Sequence, residues 1–375
     1  MNNHHTLIIG AGPAGLAVAG RMRQAGLEFT LLESSDRVGV MWSRHYDRLC
    51  LHTVKQLSHL PLLDFPTDYP VYVPRKSLLK YFEHYARHFN IRPEFGQKVS
   101  RIQKNDQGWE VTTGDNTYQG ESVVICTGIN RVPIHPHWEG ENQFAGSITH
   151  SADYRNPAPF KGKKVLVIGM GNTGAEIALD LAENAIDVSL SVRSPITIVP
   201  RDIAGNPVQL TAKKLDRLPW GIGDWLGTQI RKMVIGNLGQ YGVPLSKTHP
   251  AVQLRETGKT PVIDLGTVAQ IKKGKIKILP DVSGFDTSAV RFNDGSMHPF
   301  DAVILATGYR AKLEEFIPGI QEFLDQNGYP KAPVGDGVFR DMYFVGFDNY
   351  KLGGILGTIY DDSLTVVEQI RKNTA

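Results

Sequence analysis

His5-Thr6-Leu7-Ile8-Ile9-Gly10-Ala11-Gly12-Pro13-Ala14-Gly15 is a short apolar run followed by glycines at 10, 12 and 15. A helix-like stretch runs from Leu16 to Ala25. Beyond Gly26, Phe29-Thr30-Leu31-Leu32-Glu33 is a second apolar run that ends in an acid. Strand, glycine turn, helix and strand in that order form a parallel β-α-β unit. An uninterrupted apolar strand suits a sheet covered on both faces. The glycine turn lets backbone approach a pyrophosphate that a Cβ would obstruct, and the helix start offers unpaired N–H groups to the phosphates.

The grammar recurs. Lys164-Val165-Leu166-Val167-Ile168 precedes Gly169-Met170-Gly171-Asn172-Thr173-Gly174, then a helical stretch to about Asn184, then Asp187-Val188-Ser189-Leu190-Ser191-Val192 ending at Arg193. One G-x-G-x-x-G is weak evidence, but here each copy lies between an apolar strand and a helix, with a second strand at the right distance. The expected fold is α/β, with two Rossmann-like dinucleotide-binding domains (the FAD/NAD(P)-binding fold) and the second inserted in the first. Pro-rich punctuation at Asn156-Pro157-Ala158-Pro159 suggests the crossing. The expected boundaries are 1–155 with 285–375 for an FAD domain and 156–284 for an NADPH domain. Asp301-Ala302-Val303-Ile304-Leu305-Ala306-Thr307-Gly308 repeats Ser122-Val123-Val124-Ile125-Cys126-Thr127-Gly128. These read as paired strands, each ending in a tight Thr-Gly turn.

The acceptor ends assign the ligands. Glu33 lies roughly 20 residues beyond the first turn, where a carboxylate accepts from both ribose hydroxyls and repels a 2′-phosphate. Arg193 with Ser194 suits a 2′-phosphate, with roughly 1–3 kcal/mol available from a charge-assisted contact. FAD on the first turn and NADPH on the second is the economical reading, with NADH left open as donor. Gly10, Gly12, Pro13, Ala14, Gly15 and Glu33 then hold FAD, and Gly169, Gly171, Asn172, Thr173, Gly174, Arg193 and Ser194 hold NADPH. Trp42, Thr307 and Gly308 are further cofactor-binding candidates.

The 375 residues, at about 150 per domain, suit two domains. Lys and Arg number 41 against 38 Asp and Glu, so no cation excess argues for nucleic-acid binding. Cys50 and Cys126 form neither a C-x-x-C pair nor a zinc-type cluster, so no metal site is expected and no dithiol relay exists. Electrons from the flavin must then pass to oxygen, a quinone, an external redox protein or a metal centre. No stretch approaches 18 apolar residues, and the early apolar run lacks a preceding Lys or Arg, so neither a membrane span nor a targeting segment is expected. The default is a cytoplasmic protein. Between 210 and 238, Trp220, Trp225, Leu226, Ile230, Met233 and Val234 fall at spacings that allow an amphipathic helix.

Phe144-Ala145-Gly146-Ser147-Ile148-Thr149-His150-Ser151-Ala152-Asp153-Tyr154 matches F-x-G-x-x-x-H-x-x-x-[YFW] throughout. In this it resembles the class B flavin monooxygenases. Gly171-Asn172-Thr173-Gly174-Ala175-Glu176 resembles their G-N-[ST]-[GA]-x-[ED], and Leu305-Ala306-Thr307-Gly308-Tyr309 resembles their L-A-T-G-Y. Leu51-His52-Thr53-Val54-Lys55-Gln56, Pro66-Thr67-Asp68-Tyr69-Pro70, and Gly258-Lys259-Thr260-Pro261-Val262 with Gly274-Lys275-Ile276 are similar to the YUCCA branch and its small bacterial relatives. The resemblance implies His52 and Lys55 as catalytic residues. His52 stands where the broader family often has an Asn that hydrogen-bonds near flavin and nicotinamide, and Val40 stands where V-G-G-x-W has its second glycine.

The resemblance also implies an NADPH-dependent FAD monooxygenase that forms a C4a-(hydro)peroxyflavin, with O₂ and a small molecule as substrates. Such a donor reacts with a soft nucleophile, a sulfide or amine, without an acid–base pair, and the first expectation is that chemistry. The alternatives are YUCCA-like oxidative decarboxylation of an aryl-pyruvate such as indole-3-pyruvate, Baeyer–Villiger oxidation of a ketone, or a flavin reductase feeding a separate acceptor. A redox-sensing module with negligible turnover is the remaining reading. A homodimer is an expectation of the resemblance alone.

Overall fold

Strand β1 (Thr6–Ile9) is buried along its whole length. The turn after it leads into α1 (Pro13–Ala25), which starts on Pro13 and ends at Gly26 in the left-handed region. Proline at the first helical position gives up an N–H that would have no helical partner, and glycine closes the far end without a Cβ clash. Then come β2 (Phe29–Leu32) and, after a three-stranded antiparallel sheet (Val99–Asn105, Gly108–Thr113, Asn116–Gly120), β3 (Ser122–Ile125). The chain next builds β4 (Ser147–His150), β5 (Lys164–Ile168), α2 (Asn172–Glu183) and β6 (Asp187–Ser191). Beyond these lie β7 (Ile276–Leu279), a second three-stranded antiparallel sheet (Val282–Phe285, Ala289–Phe292, Met297–Pro299) and β8 (Ala302–Leu305). It finishes with β9 (Met342–Phe344) and α3 (Gly354–Thr374). This computed structural model describes residues 5–114, 116–215, 234–351 and 353–374.

Two units result. The first comprises Met1–Arg44, Thr53–Val132 and Tyr309–Ala375; the second comprises His45–His52 and Pro133–Gly308. In the first, β2-β1-β3-β9 form a parallel sheet, and Leu7, Ile9, Leu32, Val123, Ile125, Met342 and Phe344 share one core. In the second, β7-β6-β5-β8-β4 form a parallel sheet, with Val165, Val167, Val188, Leu190 and Ile304 packed with Ala178 and Leu181 of α2. Burying such side chains stabilises each unit by roughly 1.5–3 kcal/mol apiece.

Where the sequence reading divides the chain at 155/156 and 284/285, these compact units divide at 132/133 and 308/309. The reason is pairing: β4 and β8 lie in the sheet of the second unit, with Ser147 opposite Ala302 and Leu305 opposite Ile168. The likeness of β3 and β8 needs correcting, because they do not pair with each other. Each lies beside the strand that carries its own unit's glycine turn, with Ile9 opposite Ile125 and Ile168 opposite Leu305. The repeated sequence marks an equivalent position in two sheets. Most of the proposed helix at 210–238 lies outside the described residues; the helix Val208–Leu215 overlaps only its start. Among the described residues, no helix is long and apolar enough to cross a membrane, and no cluster of His, Cys, Asp or Glu could hold a metal ion.

Candidate active site

The two glycine turns have one geometry. Gly10 has φ 104° and Gly169 has φ 102°, a region that disfavours a side chain. A Cβ on Gly10 would lie 2.8 Å from the Cys126 carbonyl oxygen, and one on Gly169 would lie 2.7 Å from that of Ala306. The first glycine therefore lets the turn press against the end of β3 or β8. A Cβ on Gly15 would lie 1.9 Å from the Gly10 oxygen, and one on Gly174 would lie 1.9 Å from the Gly169 oxygen. A Cβ on Gly12 or Gly171 would meet, beyond its chain neighbours, no atom of the described residues within 4 Å. These two glycines are the N-caps of α1 and α2, and neither helix start has a side-chain cap. Open space before an uncapped helix start is the cradle a diphosphate requires.

The first unit fits a dinucleotide further. Glu33 is buried, with Oε2 accepting from the Ala11 N–H at 2.7 Å and Oε1 accepting from the Ser35 N–H at 2.8 Å. Its carboxylate is fixed at the end of β2 and retains lone pairs for ribose hydroxyls. Beside Gly10, the buried Thr127 Oγ1 has no protein partner among the described residues, an orphaned polar atom where a polar ligand belongs. Pro13, Ala14 and Gly15 form the first turn of α1. Trp42 lies in the short helix Val40–Ser43, edge-on to Phe82 at 6.3 Å, and Val40 is accommodated because the left-handed position is Gly39, φ 66°. Lys55 sits in a 3-10 turn, its Nζ donating to the carbonyls of Thr67 at 2.9 Å and Tyr69 at 2.5 Å. Two segments similar to the YUCCA branch are thus tied to each other.

In the second unit, Asn172 and Thr173 are the first two residues of α2. Asn172 Nδ2 donates to the Pro261 carbonyl at 3.1 Å and its Oδ1 accepts from the Ile263 N–H at 2.7 Å. Its amide is engaged by backbone, so its contribution to a nucleotide site is to hold the turn. Arg193 and Ser194 follow β6 and are exposed, and Arg193 forms no ion pair with a described residue. Thr307 Oγ1 donates to the Ile134 carbonyl at 2.5 Å, and the Gly308 carbonyl accepts from the Ile134 N–H at 2.9 Å. His150 is buried, its Nδ1 accepting from the Ala152 N–H at 3.0 Å. Burial pulls its pKa below the usual histidine value, against the Gly308 backbone, which favours the charged form.

His52 belongs to the His45–His52 segment, and a buried carboxylate holds it. Glu176, one helical turn into α2 and 3% exposed, accepts at Oε2 from the Tyr46 hydroxyl at 2.6 Å and contacts His52 Nε2 at 3.0 Å. One turn further on, Asp180 accepts from the Tyr154 hydroxyl at 2.8 Å and from Arg48 at 3.2 Å, and Glu183 accepts from Arg48 at 2.9 Å. Burial draws the Arg48 guanidinium down, but Glu183 and Asp180 outweigh it and the net shift is upward. Burial, then the Glu176 charge, pushes the Cys50 thiol up. Burial, then the Asp180 hydrogen bond, drives the Tyr154 phenol far up.

Sequence reasoning missed Tyr46, Arg48 and Asp180, and used Glu176 only as a motif match. The available signal was acids at 176, 180 and 183, at helical spacing on a helix that must cover a sheet. Buried carboxylates require donors. His52 and Lys55, paired by the sequence reading, fall in different units and have separate partners.

Residues 3–323 match the family model described as flavin-binding monooxygenase-like. Indole-3-pyruvate monooxygenase YUCCA4 of Oryza sativa subsp. japonica is 35% identical over 368 residues, 93% of this chain and 84% of that protein. Probable indole-3-pyruvate monooxygenase YUCCA1 of Arabidopsis thaliana is 36% identical over 366 residues, 96% of this chain and 87% of that protein. Among solved structures, the flavin-containing monooxygenase from Stenotrophomonas maltophilia shares the fold at 20% identity, with a TM-score of 0.76 and 100% of both chains covered. Cyclohexanone monooxygenase from Rhodococcus sp. Phi1, bound to NADP+, does so at 17% identity and a TM-score of 0.73, covering 99% of this chain and 84% of that one. With the two glycine cradles, these likenesses establish that the chain belongs to the flavin-binding monooxygenase-like family, the class B flavin monooxygenases that use FAD and NADPH.

Proposed function

We propose that this chain oxidatively decarboxylates an aryl-substituted 2-oxo acid of the indole-3-pyruvate class. The supporting observation is the run of relatives named as indole-3-pyruvate monooxygenases, at 35% identity across 93% of the chain for the rice protein. The net reaction is 2-oxo acid + O₂ + NADPH + H⁺ → carboxylate one carbon shorter + CO₂ + NADP⁺ + H₂O. One oxygen atom enters the new carboxylate and the other leaves as water. FAD, reduced by NADPH, supplies the activation of O₂ when bound.

The protein's part is to bind and orient, and to manage a proton. Gly10, Gly12 and Gly15 with the start of α1 receive the FAD diphosphate, and Glu33 receives its ribose. Gly169, Gly171 and Gly174 with the start of α2 receive the diphosphate of NADPH. Arg193 and Ser194 meet its 2′-phosphate, with NADH as the weaker donor. His52 offers the hydrogen bond that an amide offers elsewhere in the family, from an imidazole whose Nε2 contacts the Glu176 carboxylate at 3.0 Å. Sulfide or amine oxygenation, the first sequence expectation, calls for no such ionisable group. Attack on a keto carbon requires proton management, and a carboxylate-linked imidazole suits it.

The test is stoichiometry. With indole-3-pyruvate or phenylpyruvate, NADPH consumed, CO₂ released and arylacetate formed should agree one for one. Coupled turnover of a sulfide or amine, with 2-oxo acids inert, would return the assignment to the first expectation. Peroxide released one for one with NADPH, and no oxygenated product from any class, would favour a reductase.

A further inference from the structure

Resting on the role proposed for His52, we propose that Glu176 is its positioning residue: it takes the Nε2 hydrogen, fixes one imidazole tautomer and leaves Nδ1 as the working nitrogen. Three observations support this. An ionised carboxylate only accepts hydrogen bonds, and Glu176 Oε2 already has the Tyr46 hydroxyl at 2.6 Å, so the His52 Nε2 at 3.0 Å must bring its own hydrogen. Glu176 is 3% exposed and the His52 side chain 20%, so the carboxylate is immobilised while one side of the ring stays reachable. The segment is also held without this contact, because Arg48 bridges Asp180 and Glu183, and the Asp47 N–H donates to the Arg155 carbonyl at 2.8 Å. The Glu176–His52 bond therefore adds ring orientation to a segment anchored by other means.

Its location adds a consequence. Glu176 lies four residues into α2, roughly 6 Å along the axis from the helix start that receives the second diphosphate. The residue that sets the His52 ring is thus built into the nucleotide-binding helix itself. A carboxylate that holds one imidazole nitrogen fixes what the other presents.

The test reads the ring directly. In the oxidised, FAD-loaded enzyme without NADPH or substrate, long-range ¹H–¹⁵N spectra assign the His52 tautomer, with His52→Asn identifying its signals. Wild type should show hydrogen on Nε2 and a bare Nδ1. Glu176→Gln, which can accept or donate, should give a mixture of tautomers, while Tyr46→Phe should leave the wild-type form. In turnover, Glu176→Gln should lower product per NADPH by up to about tenfold, the worth of one well-placed hydrogen bond, with KM for NADPH unchanged. Hydrogen on Nδ1 in wild type, or an identical ring in wild type and Glu176→Gln, overturns the proposal. The wild-type spectrum decides the tautomer even where a variant fails to fold. It also stands apart from the substrate assignment: absent 2-oxo acid turnover with the expected tautomer would defeat that assignment and leave the positioning intact.

Discussion

A Cβ on Gly15 would sit 1.9 Å from the carbonyl oxygen of Gly10, whereas one on Gly12 would touch no atom of the described residues within 4 Å beyond its chain neighbours. Fold and ligand thus divide the turn between them. Gly15→Ala should destabilise the first unit, because backbone must move to admit the methyl group, at about 1–3 kcal/mol or more. Gly12→Val should fold and lose FAD. Thermal unfolding of apoprotein and the visible flavin spectrum separate these effects; a yellow Gly12→Val protein would contradict the cradle.

Arg193 is exposed at the end of β6 and forms no ion pair with a described residue, so its removal should leave folding unchanged. Arg193→Ala should raise KM for NADPH by roughly tenfold, the worth of one charge-assisted contact, and should barely move KM for NADH. Equal effects on the two donors would defeat the 2′-phosphate assignment.

Lys55 joins the Thr67 and Tyr69 carbonyls by charged hydrogen bonds worth roughly 1.5–3 kcal/mol each. Lys55→Met should expose the 66–70 loop to limited proteolysis while FAD stays bound. Lost turnover with an intact, protease-resistant loop would instead give Lys55 the direct catalytic role that the resemblance implies.

Asp362, on α3, is buried, with Lys351 Nζ 3.7 Å away. Burial pushes its carboxyl up to about 6, outweighing the lysine. Against an unfolded value of about 3.9, the native state holds the extra proton between roughly pH 4 and pH 6, so stability falls as pH rises through that window. Asp362→Asn should therefore be more stable than wild type by about 1–2 kcal/mol at pH 7, the advantage vanishing near pH 4. Chemical denaturation at the two pH values checks it; a variant less stable at pH 7 would show that the Lys351 contact dominates.

Both glycine turns were legible because their chemistry is local. Strand, glycines, helix and acid follow one another, and Glu33 lies where its spacing from Gly10 places it. The Tyr46, Arg48 and His52 partnerships were not legible, since their acceptors lie more than a hundred positions on and meet them only after folding. No periodicity in 45–52 announces that it belongs with α2. The limits of the compact units were hard to read for a related reason: Pro-rich punctuation marks a turn, but strand pairing decides which sheet a strand joins, and β4 and β8 join the sheet of β5.

His45–His52 has a consequence for assembly during synthesis. The chain passes between units at 44/45, 52/53, 132/133 and 308/309. The ribosome therefore releases this octapeptide long before the helix that receives it, and the first unit waits for β9 and α3 at the far end. The first unit cannot close on a contiguous stretch, so truncation at 132/133 leaves its sheet without β9 and its core without α3. Such late, long-distance closure slows folding and leaves strand edges open to association. Expression yield should thus respond more to chain completion and temperature than to any single surface substitution.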